Sequence, residues 1–321
     1  MHKIALEEHF SVPDLAEYSS TGNFISDKAI LENIVRCLAD FDELRLQTMD
    51  EAGVTKSILS HTVPGIETAR DTSKAVADAR TVNDHLARQI ERHPDRFGGF
   101  AALPTQSPRD AADELERAVR QLGFHGALIN GHTHGHYLDE DRYEVFWERV
   151  QDIGRPIYIH PTNAFQIPQN YQDHPELMGA LWGWVPETAT HVLRLIFSGV
   201  FDRYPAAQVI IGHGGEALPY LLWRLDSRYK IGGFGLGLKK LPSAYLRENI
   251  SITTAGLCST PSLHCALEAI GEDRVLFSID YPYESSKEAG DWLNGVDLPA
   301  ATLERVARGN AMRLLHLGQE D

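Results

Sequence analysis

The sequence of 321 residues lacks the features that mark several large classes of protein. No apolar stretch approaches the roughly 20 residues that a membrane-spanning helix needs, and the start MHKIALEEH shows no apolar signal-peptide core. Basic residues are outnumbered, 30 against 45 acidic ones, so the formal charge is -15 and no basic stripe can follow the phosphates of a nucleic acid. We therefore expect a cytoplasmic protein that binds neither membrane nor nucleic acid.

Cysteine is scarce as well. The three cysteines, Cys37, Cys258 and Cys265, have a spacing that fits neither a zinc knuckle nor a disulfide framework, and we expect small thiols in a reducing compartment. The dinucleotide fingerprint G-x-G-x-x-G is absent between the first apolar run and the helix after it, which disfavours a nucleotide-binding open sheet. Histidine is abundant, with 15 residues, and the positions of these residues are informative.

Short apolar runs rich in β-branched residues alternate along the chain with segments of helical periodicity. Eight such runs are present: KIALEEH (3–9), KSILSHT (56–62), RFGGFAALP (96–104), FHGALING (124–131), PIYIHP (156–161), QVIIGHGG (208–215), ISITTAG (250–256) and RVLFSIDYP (274–282). This alternation predicts a single (β/α)8 barrel domain over residues 1–321, with a doubly wound open sheet as the alternative. Segments 10–45 and 162–186 are longer than barrel connections need, and we expect them to cap the mouth.

Ionisable side chains end five of the eight runs. They are Glu7 and His9, His61, His160, His213, and Asp280. In a barrel the loops that build the pocket follow the carboxyl ends of the strands, and catalytic groups come from the ends of several strands. These residues are therefore candidates for one shared site at the mouth.

Four of these residues form a predicted metal site. Glu7 and His9 are two positions apart on a strand, so they face the same side about 6.6 to 7 Å apart, while Glu8 faces the helical shell. The other interpretation of Glu7 and His9 is a pair of hydrogen-bonded polar residues that fills the barrel mouth. The other interpretation of His160 is a hydrogen-bonded histidine in the core. An unpaired Asp280 would be costly to bury. Together the two imidazoles and two carboxylates suit Zn²⁺ or Mn²⁺ with one coordination position open.

Two further strand ends suggest substrate chemistry. His213 ends the sixth run, and Glu216 follows it in the first turn of a predicted helix, so the carboxylate can orient the imidazole as an acid/base or substrate clamp. A contact at the start of the helix is the simpler interpretation. Asn130 ends the fourth run, where it can hydrogen-bond a substrate or merely cap the turn.

Other histidines carry a weaker signal. His61 ends the second run and is a candidate for lining the pocket. His132, His134 and His136 follow the fourth run as GHTHGH, which suggests a metal site, although histidines in loops are usually solvated. We expect His191, on a predicted helix, to be structural.

Six motifs carry a resemblance to a known family. They are ALEEHF, GFHGALING, YIHP, IIGHGGEALPYLLWRLD, ITTAG and VLFSIDYPYE. In this order the chain resembles the nonoxidative aromatic acid decarboxylases of the amidohydrolase superfamily, a group that includes γ-resorcylate (2,6-dihydroxybenzoate) and 2,3-dihydroxybenzoate decarboxylases. The chain departs from the family pattern at His132, where many relatives have an aromatic residue, and at Ile279 and Tyr281, where they have Thr and Trp.

The resemblance implies a fold, a metal and a set of roles. It implies a (β/α)8 barrel, a homotetramer or homodimer, and one divalent metal, Zn²⁺ or Mn²⁺. The implied metal ligands are Glu7, His9, His160 and Asp280. The implied active-site histidine is His213 with Glu216 as its partner, and Asn130 matches an asparagine on the substrate side.

The reaction that the resemblance implies is the nonoxidative decarboxylation of an ortho-hydroxybenzoate, a small aromatic acid. The first choice of substrate is 2,6-dihydroxybenzoate, which would give resorcinol and CO2, and 2,3-dihydroxybenzoate and salicylate follow. Asp280 is the candidate proton donor to the ring. Two alternatives stay open: a metal-dependent hydrolase of a lactone, ester or amide, and a catalytically inactive barrel with a binding role.

Overall fold

Eight parallel strands form the centre of the computed structural model, which describes residues 1–19, 25, 27–232 and 234–318. The strands are β1 (Lys3–Phe10), β2 (Val54–His61), β3 (Phe97–Gly99), β4 (Ala127–Asn130), β5 (Ile157–His160), β6 (Val209–Ile211), β7 (Ile250–Thr253) and β8 (Val275–Leu276). They pair in sequence order, as β1-β2-β3 and β4-β5-β6-β7-β8. Parallel bridges between Ala101 and Ala127 and between Glu8 and Tyr281 join the two sheets. The structure is therefore a closed (β/α)8 barrel, as the sequence predicts.

Helices connect and surround the strands. They are α1 (Lys28–Ala39), α2 (Leu44–Ala52), α3 (Thr72–Arg92), α4 (Pro108–Leu122), α5 (Glu144–Ile153), α6 (Trp184–Phe197), α7 (Val200–Arg203), α8 (His213–Glu216), α9 (Leu218–Gly232), α10 (Pro242–Asn249), α11 (Thr260–Ile270), α12 (Ser286–Gly295), α13 (Ala300–Glu304) and α14 (Asn310–Leu314). A π-helical turn, Arg305–Gly309, joins the last two. None of the helices that the structure describes combines the length and apolar composition required to cross a bilayer.

Side chains on successive strand residues alternate between two hydrophobic clusters. Leu128, Tyr158 and Ile210 belong to the cluster inside the barrel. Ile129 and Ile159 pack in the larger cluster between the strands and the helices. Because side chains two residues apart share a face, the residues that end β4 and β5 point into the barrel mouth.

The first strand changes its inward face at a β-bulge. Ile4 and Leu6 belong to the inner cluster, whereas Phe10 belongs to the outer one. Between them the pairing with β2 slips, because Ala5 is opposite Ser57 but Glu8 is opposite Leu59. Such a bulge inserts one extra residue and re-aims the side chains that follow it. It places Glu7 and His9 on the inward side even though Leu6 is also inward.

A buried arginine supports this strand from behind. Arg45, on α2, is 1% exposed and donates hydrogen bonds to the carbonyl oxygens of His9, Cys37 and Asp40 at 2.7, 3.2 and 3.0 Å. Its guanidinium lies 4.6 Å from the centroid of the Tyr281 ring. Glu8 is buried beside it and accepts a hydrogen bond from the backbone N–H of Ile279, which ties β1 to the segment after β8.

Replacing Arg45 with methionine is expected to lower the free energy of unfolding by about 3–5 kcal/mol, because it leaves the carbonyl oxygens of His9, Cys37 and Asp40 without their donor, and each buried unsatisfied group costs about 1–3 kcal/mol. Chemical denaturation measures the change. Arg92→Met is the control, since Arg92 pairs with Asp42 on the surface, where such pairs contribute only about 0–1 kcal/mol. A loss at Arg45 no larger than that of the control would contradict this account.

Candidate active site

Four of the predicted site residues converge at the mouth of the barrel. Glu7 and His9 lie at the end of β1, His160 ends β5, and Asp280 follows β8. One ligand atom from each lies within 4.8 Å of the others. Nε2 of His9 is 3.2 Å from Oδ1 of Asp280, and Nε2 of His160 is 3.4 Å from Oε1 of Glu7. The structure thus brings together residues from opposite ends of the sequence.

The unpartnered atoms of this cluster fit a metal ion. Oε1 of Glu7, Nε2 of His9 and Oδ1 of Asp280 are buried and have no hydrogen-bond partner. Buried polar atoms are normally satisfied, so several lone pairs without a partner at one point fit a bound cation. Two imidazoles and two carboxylates are a suitable ligand set for Zn²⁺ or Mn²⁺.

Neighbouring groups hold the ligand atoms in place. Nδ1 of His160 lies 2.9 Å from the carbonyl oxygen of Pro161, so Nδ1 carries the proton and Nε2 presents its lone pair to the cluster. The hydroxyls of Tyr158 and Thr253 both donate to Oε2 of Glu7, which leaves Oε1 for the metal. Gly212 makes room for this carboxylate, since a Cβ there would lie 2.5 Å from Oε2 of Glu7.

The protonation states of the metal-free cluster differ among its members. Burial raises the pKa of Glu7 to about 7, against the lowering effect of His213. Burial also holds the pKa of His160 well below its usual value, so this imidazole is neutral. Burial alone would raise the pKa of Asp280, yet the adjacent His213 and His9 rings hold it below its usual range. Asp280 is therefore ionised, and Glu7 is the carboxylate that must release a proton.

His213 and Glu216 form a second pair beside the cluster. Nδ1 of His213 lies 2.8 Å from Oε1 of Glu216, while its Nε2 lies 3.6 Å from Oδ2 of Asp280 and 3.9 Å from Oε1 of Glu7. Burial favours the neutral ring, but Glu216 and Glu7 raise the pKa of His213 well above its usual value. The pair can therefore present a protonated imidazole next to Asp280.

The backbone at these residues is strained. His213, Glu216 and Ala217 have φ of 51, 52 and 62°, and the two glycines between them are left-handed as well. Asp280 has a φ of 80°. Residues other than glycine rarely adopt this left-handed region of backbone conformation, which costs of order 1–3 kcal/mol for each residue. Residues strained in this way cluster at functional sites. His213 and Asp280 both have this conformation, and their side chains approach to 3.6 Å.

Asn130 lies next to the cluster and is held by a residue from another loop. It is opposite His160 in the β4–β5 register, so both side chains point into the mouth. Its backbone N–H donates to Oε1 of Glu67 at 2.8 Å, and its Nδ2 donates to Oε2 at 3.5 Å. Oδ1 of Asn130 is buried with no partner. Burial raises the pKa of Glu67 to about 7, against the lowering effect of the Asn130 N–H.

A cavity of about 500 Å³ opens onto the cluster. Its lining is contributed by the two long segments and the strand ends: Ile25, Asp27, Ile30, Ile34, Val63, Pro64, His160, Thr162, Asn163, Ala180, Trp184, Asp280, Tyr283 and Glu284. Segments 10–45 and 162–186 therefore cap the mouth as predicted, although residues 20–24 and 26 of the first lie outside the described residues. A space of this size accommodates a single-ring ligand.

The remaining histidines are separate from the cluster. His61 is buried, with both ring nitrogens unpartnered, and burial holds its pKa low, at about 3. His132, His134 and His136 contact three different groups, the carbonyl oxygens of Asn163 and Ala69 and the carboxylate of Glu140, at 3.0, 2.9 and 2.8 Å. The suggested metal site in GHTHGH is therefore wrong for this structure. His191 is buried and accepts a hydrogen bond from the Leu138 N–H, which is the expected structural role.

Sequence reasoning missed several residues of the site. Tyr158 could have been found, because it lies two positions before His160 on the same strand face. Thr253 similarly ends β7. Glu67 gives no such signal, since it lies in a loop after β2 and its role depends on how that loop folds over β4.

Replacing Tyr158 with phenylalanine is expected to weaken Mn²⁺ affinity by about 10–100-fold, because it removes the hydroxyl that orients Glu7. Metal titration by calorimetry measures this independently of turnover. Tyr143→Phe is a matched control, since the buried Tyr143 hydroxyl donates to the Thr105 carbonyl. Equal affinities of the two variants would show that Glu7 does not depend on this hydrogen bond.

Comparisons with known proteins agree with this geometry. The amidohydrolase family profile matches residues 35–317. A gamma-resorcylate decarboxylase from Polaromonas sp. is 41% identical over 329 residues, which cover 99% of each chain.

Two solved structures are similar over nearly their whole length. A 2,6-dihydroxybenzoate decarboxylase in complex with 2,6-dihydroxybenzoate has a TM-score of 0.93 and 40% identity, covering 99% of this chain and 100% of the other. A dihydroxybenzoic acid decarboxylase from Polaromonas sp., with bound manganese and the inhibitor 2-nitroresorcinol, has a TM-score of 0.94 and 39% identity, covering 99% of this chain and 98% of the other.

Proposed function

Because this chain belongs to the amidohydrolase family and groups there with the gamma-resorcylate decarboxylases, we propose that it converts 2,6-dihydroxybenzoate into resorcinol and CO2. The observation that carries the proposal is the convergence of Glu7, His9, His160 and Asp280 below a cavity sized for one aromatic ring. A solved structure that is 40% identical to this chain and contains bound 2,6-dihydroxybenzoate also supports the proposal.

We assign the metal to these four residues. Glu7, His9, His160 and Asp280 would hold one divalent cation, and a manganese-bound relative at 39% identity favours Mn²⁺ over Zn²⁺. When bound, the cation would supply Lewis acidity that stabilises negative charge developing on the substrate. Tyr158 and Thr253 keep the Glu7 carboxylate oriented for this role.

Asp280 moves the proton. Direct loss of CO2 would leave an aryl anion, so the carbon that bears the carboxylate must first be protonated. Asp280 is ionised in the free protein and takes the proton of the ortho hydroxyl, then delivers it to that ring carbon. The phenolate electrons move into the ring as the new C–H bond forms, which gives a dearomatised β-keto acid. Cleavage of the carbon–carboxylate bond releases CO2 and restores the ring, and one proton from water completes resorcinol.

His213 and Glu216 act beside this step. Glu216 and Glu7 raise the pKa of His213 in the metal-free site, and Nε2 of His213, 3.6 Å from Oδ2 of Asp280, can donate a hydrogen bond to Asp280 or to a ring oxygen. Glu216 fixes the ring of His213 through Nδ1. Asn130, at the end of β4, binds a ring hydroxyl of the substrate.

An assay of Mn²⁺-loaded protein tests the function. We expect release of CO2 and resorcinol from 2,6-dihydroxybenzoate, with lower kcat/KM for 2,3-dihydroxybenzoate and salicylate. The control panel contains lactones, esters and amides, because the same metal site could activate water for hydrolysis. Hydrolysis of a panel member without any CO2 release would overturn the proposal.

We also propose that the chain assembles into a homotetramer or homodimer in the cytoplasm. Helix α9 and the residues after it carry exposed apolar side chains: Tyr220 and Trp223 are 83% and 79% exposed, and Ile231 and Phe234 are 70% and 64% exposed. Large exposed apolar patches mark protein interfaces. The three free cysteines are consistent with a reducing compartment.

Replacing Trp223 with lysine is expected to shift the mass measured by light scattering toward the monomer. Leu181→Lys is the control, since Leu181 is 72% exposed but lies in the mouth segment. An unchanged mass for both variants, or a monomeric unmodified protein, would contradict assembly through α9.

A further inference from the structure

The Glu67 carboxylate accepts a backbone hydrogen bond from β4 that a neighbouring strand would otherwise accept. Along β4, the Leu128 N–H donates to the Ala101 carbonyl, as expected between neighbouring parallel strands. Two residues further on, the Asn130 N–H has no such carbonyl beside it, because the pairing with β4 ends at Ala101. Oε1 of Glu67 accepts this hydrogen bond at 2.8 Å instead. The carboxylate is thereby fixed next to the Asn130 side chain.

This arrangement determines which atom of the Asn130 amide faces the site. The second oxygen of Glu67 accepts from Nδ2 of Asn130. An ionised carboxylate can only accept, so the NH2 group must turn toward Glu67 and the amide oxygen must turn away. Oδ1 of Asn130 is the atom left buried and unpartnered. Such a buried acceptor is satisfied by a hydrogen-bond donor, and a bound ligand can supply one.

The surroundings allow little adjustment. Glu67 is 3% exposed. Gly65 packs over the pair, since a Cβ there would lie 2.3 Å from both Nδ2 of Asn130 and Oε2 of Glu67. Asn130 and Glu67 line a cavity of about 260 Å³ that shares Pro64 and Thr162 with the cavity above the metal cluster. Asn130 is also the register partner of His160, which lines the cavity above the cluster, so a ring bound there can direct a substituent toward Asn130.

We infer that Glu67 is a positioning residue that locks the Asn130 amide with its oxygen toward the cavity, and so selects substrates that present a hydrogen-bond donor there. In the proposed function, on which this inference rests, that donor is the second hydroxyl of 2,6-dihydroxybenzoate. Glu67 acts through Asn130, to which both of its carboxylate oxygens are hydrogen-bonded. The site therefore distinguishes substrates by whether they can donate a hydrogen bond to the amide oxygen of Asn130.

The test compares a donor with an acceptor-only group at the same ring position. The substrates are 2,6-dihydroxybenzoate and 2-hydroxy-6-methoxybenzoate, and the measured quantity is the ratio of their kcat/KM values. In Glu67→Gln, the Gln amide oxygen keeps the bond to the Asn130 N–H, while its NH2 faces the Asn130 amide and reverses it. We expect the ratio to fall about tenfold or more, the effect of one lost hydrogen bond. The steric cost of the methyl group is common to both proteins and cancels.

Assays at pH 8 keep Glu67 ionised, because its pKa is about 7. The same comparison is made for binding of resorcinol and 3-methoxyphenol by calorimetry, which does not require turnover. A second variant, Asn130→Ala, removes the acceptor and must also lower the ratio, even if Glu67→Gln does not fold. Adding Glu67→Gln to Asn130→Ala must then cause no further change, since Glu67 acts through Asn130.

The outcomes separate this inference from the proposed function. A ratio that is the same in Glu67→Gln as in the unmodified protein, for both catalysis and binding, overturns the inference while leaving the decarboxylase activity in place. A further change in the Asn130→Ala background also overturns it. If the unmodified protein releases no CO2, the proposed function fails, and the binding ratio of the two phenols still decides whether Glu67 directs the amide.

Discussion

Replacing Asp280 with asparagine is expected to lower kcat for 2,6-dihydroxybenzoate by about 10²–10⁴-fold, the usual contribution of a positioned general acid or base. Asparagine preserves the size of the side chain and a ligand oxygen, but it cannot accept the proton of the substrate hydroxyl and deliver it to the ring. KM is expected to change much less, because the interaction is made in the transition state. Steady-state kinetics with detection of the phenol measures both constants.

The control for this variant is Asp50→Asn, which changes a surface carboxylate paired with Arg96 and should leave kcat unchanged. Circular dichroism and metal analysis establish that Asp280→Asn folds and retains its cation. If a folded, metal-loaded Asp280→Asn variant turned over at a near-normal rate, the role of Asp280 as proton carrier would be wrong.

Removing the metal is expected to have the second large effect. Chelation should lower turnover by about 10³-fold, because Lewis-acid stabilisation amounts to several kcal/mol. Added Mn²⁺ should restore activity, and Mg²⁺, which prefers oxygen ligands, should restore it poorly. Chelated protein that keeps full activity at an undetectable metal content would contradict the metal site.

The affinity for Mn²⁺ is expected to depend on pH through Glu7. Burial raises the pKa of Glu7 in the metal-free site to about 7, so at lower pH a proton occupies the carboxylate that the cation needs. Affinity should therefore fall by up to about tenfold per pH unit below this value and level off above it. Calorimetric titration with Mn²⁺ at several pH values between about 5.5 and 8.5, on both sides of this pKa, measures how steeply the affinity depends on pH. A flat profile would show that Glu7 does not compete for protons.

The alternation of strands and helices was sufficient to predict the barrel and the strand ends that meet at its mouth. His160 and Asn130 lie where a simple period of two places them, opposite each other on β4 and β5. These predictions succeed because parallel strands in a barrel all end at the same face. The loops at 10–45 and 162–186 were also identified, since their length exceeded what a connection requires.

Other features depend on tertiary structure that no local pattern encodes. The bulge in β1 lets Leu6 and Glu7 both face inward, whereas strict alternation would place them on opposite faces. Glu67 acquires its partner because the pairing with β4 ends at Ala101 and leaves the Asn130 N–H without a strand carbonyl. The loop histidines His132, His134 and His136 were not expected to form a metal site, and each contacts a different group, because closeness in sequence does not by itself produce a shared ligand geometry.

The junction between β1 and β8 links the metal site to the order of folding. The carbonyl of Glu7 accepts from Asp280, the Glu8 carboxylate accepts from Ile279, and the contact spans 271 positions of the sequence. A growing polypeptide that has not yet emerged as far as Asp280 lacks one of the four cation ligands. High-affinity binding of Mn²⁺ therefore requires that β8 has closed the barrel against β1. A metal-sensitive signal recorded during synthesis would give the time at which the barrel closes.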